Sequence, residues 1–140
     1  MVEEIKIRPY RQADEADVIQ LWKRCNLIVP LNDPVDDIAT KIKMQPELFL
    51  VGAREGRGIA TVMAGYEGHR GWINYLAVDP DFQRQGIGRF LMSAVEKKLR
   101  KIGCPKINLQ VRKSNASVIE FYERIGFTID DVVGLGKRLV

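Results

Sequence analysis

The sequence predicts an α/β domain with a mixed sheet flanked by helices, in the element order β-α-α-β-β-β-α-β-α-β-β. Three strand-like runs within residues 48–78 are separated by glycine-containing turns at 54–58 and 67–71, which indicates successive antiparallel strands. A helical pattern then separates residues 72–78 from an alternating run at 107–111. Because a strand that returns through a helix runs parallel to its predecessor, the sheet is expected to be mixed.

Chain length and composition indicate one globular domain. The 140 residues match the usual size of a single domain, so residues 1–140 are expected to form one unit. The apolar content of 46% and the charged content of 29% are ordinary for a soluble protein. No apolar run approaches the roughly 18 residues of a membrane span, and the polar N-terminus is unlike a signal peptide. We therefore expect a cytoplasmic protein that makes no membrane contact.

The first elements carry both a periodicity and a boundary signal. Residues 5–8 alternate between apolar and polar side chains, which predicts a first strand. Asp14 is a suitable N-cap for a helix over residues 15–26, whose apolar positions recur at helical spacing. Asp33 followed by Pro34 predicts the N-cap and the first residue of a second helix.

The C-terminal part is predicted to contain a helix and two short strands. The helix begins near Asn115 or Ser117, and Gly126 ends it as a C′ glycine. Residues 127–129 and 133–139 are predicted to be the two last strands. This strand pair is also a candidate contact for a homodimer.

A glycine-bearing loop lies between an apolar strand and an amphipathic helix. It reads QRQGIG, residues 83–88, and Gly86 and Gly88 would let a ligand approach the backbone closely. The first N–H groups of a helix have no intrahelical partner, and the macrodipole adds roughly half a positive charge there. Arg84 and Arg89 add cationic side chains. This pattern favours a phosphate site, and a loop that needs glycine only for its turn is the alternative.

Two common phosphate motifs are absent from the sequence. A dinucleotide-binding fingerprint would require a third glycine at the position of Leu91. A P-loop that ends at Gly136 and Lys137 would require a glycine at the position of Asp131. The loop therefore belongs to neither class of nucleotide-binding motif.

The loop and its flanks resemble the core motif of the GNAT superfamily of acyl-CoA-dependent N-acetyltransferases. That motif is a strand followed by (Arg/Gln)-x-x-Gly-x-(Gly/Ala) at a helix start, and Gln83, Gly86 and Gly88 fit it. The element order of the whole chain is similar to that of the family. The resemblance implies acetyl-CoA as co-substrate, with its pyrophosphate at the loop and its pantetheine arm along the preceding strand. The cofactor-binding residues that it implies are Leu76, Ala77, Val78, Gln83, Arg84, Gln85, Gly86, Ile87, Gly88, Arg89 and Asn115.

A second family motif, Asn-x-x-(Ala/Ser)-x-x-x-Tyr-x-x-x-Gly-Phe, is similar to residues 115–127. Asn115 and Tyr122 fit it, whereas Val118 stands where a small residue is usual. The two fitting residues are seven apart, or two helical turns, so they share a helix face. The resemblance implies that Tyr122 is the general acid that protonates the departing coenzyme A thiolate. A core aromatic is the alternative interpretation of a lone helical tyrosine.

The resemblance also implies an N-acetyltransferase reaction on a primary amine. A backbone N–H near Ala77 or Val78 would then donate to the thioester oxyanion. Glu67 and His69, in the turn before the central strand, are candidate bases for the amine, and a water relay is an alternative. Three aspartates could line an acceptor entrance or simply cap the second helix: Asp33, Asp36 and Asp37.

Charge and cysteine content bound the remaining function classes. Residues 1–80 carry 10 Lys+Arg against 12 Asp+Glu, and residues 81–140 carry 12 against 6, so positive charge accumulates beside the loop. A small polyanion such as coenzyme A explains this excess, and the basic residues lack the interleaved aromatics that favour nucleic acid. One histidine and two separated cysteines form no typical zinc site, so no metal is expected. The alternative function is a non-catalytic acyl-CoA-binding module with regulatory function and the same fold.

Overall fold

The computed structural model describes residues 4–140 and shows two compact units. The first unit ends at Leu109, and the second is Gln110–Val140. Among the described residues, the first unit contains a five-stranded sheet with three α-helices, and the second contains one α-helix. The expectation that residues 1–140 form a single domain stays a prediction.

One mixed sheet forms the centre of the first unit. Its strands lie in sequence order: β1 (Lys6–Pro9), β2 (Phe49–Arg54), β3 (Arg57–Tyr66), β4 (Gly71–Val78) and β5 (Ile107–Asn108). The pairs from β1 to β4 are antiparallel, and β4 pairs with β5 in parallel. Because hairpin turns join β2 to β3 and β3 to β4, and a helix joins the parallel pair, the predicted mixed α/β fold class is confirmed.

The helices of the first unit begin close to where the sequence predicts. They are α1 (Glu15–Arg24), α2 (Pro34–Lys41) and α3 (Ile87–Lys101). The Asp33 carboxylate accepts a hydrogen bond from the Val35 N–H at 2.9 Å, which confirms it as the N-cap of α2.

Asp14 does not cap α1 as expected. Its carboxylate accepts two hydrogen bonds from the Arg8 guanidinium, at 2.7 and 2.8 Å, and one from the Arg11 N–H at 2.8 Å. The paired guanidinium holds the pKa of Asp14 below its usual value. Since Arg8 offers two charged donors, the carboxylate binds β1 and the short 3-10 helix that precedes α1 instead of the first turn of α1.

Both faces of the sheet are covered by helices. On one face, Trp22 of α1 and Ile38 of α2 pack in a cluster with buried residues of β2, β3 and β4. On the other face, Leu91 of α3 lies so close to Gly52 that a Cβ added there would be 3.1 Å from the leucine Cδ1 atom. Burial on both faces explains why β2 and β3 are almost continuously apolar instead of alternating.

The central strand β4 departs from regular strand pairing on both of its edges: it has a bulge toward β3 and only a short pairing with β5. Tyr75 and Leu76 together oppose a single residue of β3, which makes a β-bulge. The Tyr75 backbone has a φ of +52°, in the left-handed region that a bulky side chain rarely adopts. In addition, β4 pairs with β5 only through Gly71 and Trp72, so residues 73–78 extend past the end of β5.

The C-terminal strands are the part of the fold for which the sequence prediction is wrong. The second unit contains the helix α4 (Ala116–Arg124), but neither 127–129 nor 133–139 forms a strand. The predicted strand over 107–111 also stops at Asn108, because its parallel pairing with β4 covers only two residues. A strand forms only with a hydrogen-bonded partner, and alternation of side chains does not supply one.

Candidate active site

Residues 73–78 of β4 form an open backbone edge, because β5 ends before them. The Val78 carbonyl on this strand accepts hydrogen bonds from the Gln83 side-chain amide at 3.0 Å and from the Cys25 thiol at 3.3 Å. Leu76 and Val78 are half-buried, and Ala77 is buried. The three strand residues predicted to contact the cofactor therefore lie together at the end of the open edge, joined to the loop by Gln83.

The loop after β4 is held by its own backbone conformation. The Asp79 carboxylate accepts from the Asp81 N–H at 2.9 Å and caps the 3-10 helix Pro80–Phe82. Arg84 and Gly86 have φ values of +64° and +81°, and Gly86 is the N-cap of α3. Glycine adopts this conformation without a Cβ penalty, so the backbone itself requires the motif glycine at this position.

The start of α3 presents N–H donors to the loop. Its first N–H groups, from residues 87–89, have no intrahelical acceptor, and the Phe90 N–H bonds to the Gly86 carbonyl at 3.0 Å. No side chain caps α3, and within the described residues its first turn holds no acidic side chain. The Ile87 side chain is buried and anchors the helix start, whereas Arg89 is exposed. Free donors, helix dipole and arginine together favour a bound phosphate.

Asp79 is a site residue that the sequence alone did not single out. Its carboxylate is buried and accepts from the Arg24 guanidinium at 2.6 Å and from the Arg57 guanidinium at 3.1 Å. Arg24 ends α1 and Arg57 begins β3, so one carboxylate ties both elements to the start of the loop. The Asp-Pro sequence indicates the turn, but no local pattern indicates two partners so far away in the chain.

Tyr75 is a second residue that the sequence did not single out. Its hydroxyl donates to the Asp37 carboxylate at 2.6 Å, and its ring stacks on Trp22 with the centroids 3.8 Å apart. Burial, followed by this hydrogen bond, raises the pKa of Tyr75 well above its usual value. Of the three aspartates predicted to cap α2 or line an entrance, Asp33 caps the helix and Asp37 binds the bulge of β4.

Glu67 is bound within its own turn. Its carboxylate accepts from the His69 N–H at 2.8 Å and from the Arg70 N–H, and these two hydrogen bonds hold its pKa below the usual value. A carboxylate with a lowered pKa is a weaker base. Glu67 and His69 are both exposed in the β3–β4 turn, and the hydrogen bonds of the Glu67 carboxylate stabilise that turn.

Two further predicted residues, Asn115 and Tyr122, belong to the second unit. Asn115 is the N-cap residue of α4, and its side-chain oxygen accepts from the Ser117 hydroxyl at 3.4 Å. Tyr122 is buried, and its ring meets those of Phe121 and Phe127 edge-on, with centroids 5.1 and 5.4 Å away. Burial raises the pKa of Tyr122 to about 12. Its phenol is therefore fully protonated at neutral pH.

Neither a metal-binding cluster nor a membrane-spanning helix is present among residues 4–140. No group of three or more histidine, cysteine or carboxylate side chains there could hold a metal ion. None of the helices in this part of the chain is long and apolar enough to cross a bilayer.

The chain that carries this site is similar to known proteins of one family. The family model described as Acetyltransferase (GNAT) family matches residues 15–127. A protein of Pectobacterium atrosepticum named an acetyltransferase is 48% identical over 136 residues, which cover 97% of this chain and 96% of that protein. The match therefore includes α1 through α4 and nearly the full length of the relative.

Solved structures give the same fold. The ribosomal-protein-S18-alanine N-acetyltransferase of Escherichia coli has a TM-score of 0.73 at 27% identity, covering 89% of this chain and 77% of that chain. PaiA N-acetyltransferase from Thermoplasma acidophilum, in complex with coenzyme A, has a TM-score of 0.77 at 19% identity, covering 93% of each chain. The second likeness concerns the fold alone.

Proposed function

Because the chain belongs to the GNAT acetyltransferase family and is an acetyl-CoA-dependent acyltransferase, we propose that it transfers acetyl directly to a primary amine in a ternary complex. The observation that carries this proposal is the continuity of the open edge of β4 with the uncapped N-terminus of α3. Pantetheine and pyrophosphate are joined in coenzyme A in the same order. One extended ligand can thus follow the strand and end at the helix.

The pyrophosphate would bind at the loop. Its oxygens accept from the N–H groups of residues 87–89, which have no acceptor within the helix, and Arg84 and Arg89 supply counter-charge. Gly86 is needed both for its positive φ and for close approach of the ligand to the backbone. The Gln83 amide, which binds the Val78 carbonyl, fixes the distance between this phosphate site and the strand.

The acetyl group would lie at the open edge of β4. The amine nitrogen attacks the thioester carbonyl carbon, and the oxyanion that forms accepts a backbone N–H from the end of the strand near Ala77. The C–S bond then breaks and the sulfur takes a proton from Tyr122. Since a phenol with a pKa of about 12 is a weaker acid than a thiol, the proton moves as the bond breaks. The amine proton returns to the phenolate through water.

The acceptor amine sets the need for a base. Deprotonating a lysine-like amine at pH 7 costs about 4.6 kcal/mol, whereas an α-amine costs only about 1 kcal/mol. As the base for this step, Glu67 is a weaker candidate than a water relay, because its carboxylate already accepts two backbone N–H groups. A water relay from the open edge remains the alternative route for the proton, and an α-amine needs the least assistance.

Cofactor binding is the first experiment. Calorimetric titration should give saturable micromolar binding of acetyl-CoA. Parallel titrations with dephospho-coenzyme A and with a free adenine nucleotide then show how much of the affinity each part of the cofactor contributes. An amine panel then follows free thiol release, with an alanine-terminated peptide, a lysine peptide, spermidine and an aminoglycoside. Binding without transfer to any amine would favour the alternative function, a non-catalytic acyl-CoA-binding module, over the N-acetyltransferase. Absence of binding would refute both functions.

The general acid is tested by Tyr122→Phe. We expect kcat to fall roughly 10²-fold with the acetyl-CoA affinity nearly unchanged, because the phenol acts only when the thiolate leaves. Tyr66→Phe is the control, since it removes a tyrosine hydroxyl at the end of β3 whose hydrogen bond to the Gly68 carbonyl is exposed. Because burial raises the pKa of Tyr122 to about 12, this phenol should cause no alkaline fall in wild-type kcat between about pH 7 and 9. Full activity of Tyr122→Phe would remove the proposed role.

A further inference from the structure

The bulge of β4 is held by a chain of three hydrogen bonds from other elements. The Trp22 indole N–H donates to the Thr61 hydroxyl oxygen at 2.9 Å, and the Thr61 hydroxyl donates to the Tyr75 carbonyl at 2.9 Å. The Tyr75 hydroxyl then donates to Asp37 at 2.6 Å. Side chains of α1, β3 and α2 thereby fix one residue of β4 whose φ is +52°.

Thr61 holds the centre of this chain. Its side chain is fully buried among apolar residues of the sheet, where an unpaired hydroxyl is costly, and it uses both its donor and its acceptor. It pairs across the sheet with Ala77 while its hydroxyl reaches the Tyr75 carbonyl. Thr61 therefore has contacts on both sides of Leu76, the second residue of the bulge.

The direction of one backbone donor follows from this contact. The Tyr75 carbonyl and the Leu76 N–H belong to the same planar trans peptide, in which the two groups point in opposite directions. Because the carbonyl points toward the Thr61 hydroxyl, the Leu76 N–H points away from it. Rotation of this peptide would break a buried hydrogen bond and leave the threonine without an acceptor.

We propose that Thr61 is a positioning residue for acetyl transfer, which fixes the Tyr75–Leu76 peptide so that the Leu76 N–H faces the thioester oxygen. This inference rests on the proposed function, because it needs acetyl-CoA along the open edge of β4. It shifts the oxyanion donor from Ala77 or Val78 to Leu76 and assigns its orientation to a side chain outside the strand. A misplacement of about 1 Å at such a donor costs on the order of 10²-fold in rate.

The test compares isosteric and conservative changes at one position. Thr61→Val removes the hydroxyl and should lower kcat on the best amine of the panel roughly 10²-fold, with the acetyl-CoA dissociation constant within about threefold of wild type. Thr61→Ser keeps the hydroxyl and should restore most of kcat. Thr40→Val makes the same chemical change at an exposed position of α2 and should have no effect. Equal kcat for Thr61→Val and Thr40→Val would overturn the proposal.

A measurement on the wild-type protein covers the case in which Thr61→Val does not fold. The amide NMR signal of Leu76 is followed during titration with acetyl-CoA and with coenzyme A, which differ only by the acetyl group. We expect Leu76 to shift more with acetyl-CoA. Equal shifts from two bound ligands would refute the role of the Leu76 N–H, whereas failure of both ligands to bind would refute the proposed function itself.

Discussion

The loop at residues 83–88 and the bulge of β4 both carry backbone N–H groups that we propose to bind acetyl-CoA, but they are held in different ways. The loop is held by neighbours in sequence, through the conformation of Gly86 and the bond from Gln83 to Val78. The bulge is held by side chains whose hydrogen bonds join residues 14 to 39 positions apart. One site can thus combine a part that short-range spacing encodes with a part that only tertiary packing creates.

A substitution that disrupts the loop at residues 83–88 should have the largest effect on acetyl-CoA binding. Gly86→Val puts a β-branched side chain at a φ of +81°, so the loop must rearrange, and we expect acetyl-CoA affinity to fall on the order of 10²-fold in titration. Gly56→Val is the matched control, because Gly56 has a φ of +79° in the β2–β3 turn and open space around it. The control should lose stability similarly while its affinity is unchanged. Equal affinity loss in both variants would mean that general destabilisation, not the loop, weakens binding.

Asp79 makes both a local contact, with the Asp81 N–H in the loop, and tertiary contacts, with Arg24 and Arg57, so its loss should remove both kinds of contact. Asp79→Ala removes a buried acceptor from Arg24 and Arg57, and we expect about 2 kcal/mol less stability in urea unfolding. The figure is below that for a fully buried pair, because both arginines reach solvent.

Asp81→Ala is the control for Asp79, because the exposed Asp81 also binds Arg24, at 3.3 Å. It should cost less than about 0.5 kcal/mol, as exposed ion pairs do. If the two variants were equally stable, the carboxylate of Asp79 would not connect α1 and β3 to the loop.

The same division explains how much the sequence could predict. Strand order and helix starts depend on turn glycines, caps and helical spacing, which are local, and the structure agrees with them except at Asp14, whose carboxylate binds Arg8 instead of capping α1. The bulge at Tyr75 is invisible in the sequence because Trp22, Thr61 and Asp37 meet only after folding. The C-terminal strands were predicted wrongly for the opposite reason, since residues 133–139 alternate but lack a strand partner.

The β3–β4 turn sharpens the comparison, because it too is held locally yet is expected to take no part in catalysis. Glu67→Gln keeps an oxygen that can accept the His69 and Arg70 N–H groups but cannot act as a base, so we expect kcat/KM within about twofold of wild type. Two backbone N–H groups hold the pKa of Glu67 below its usual value, so the carboxylate is charged throughout neutral pH. The pH profiles of kcat/KM for wild type and Glu67→Gln should therefore coincide between about pH 6 and 9. A loss of the acid limb in Glu67→Gln alone would instead identify this carboxylate as the base and make the turn a third part of the site.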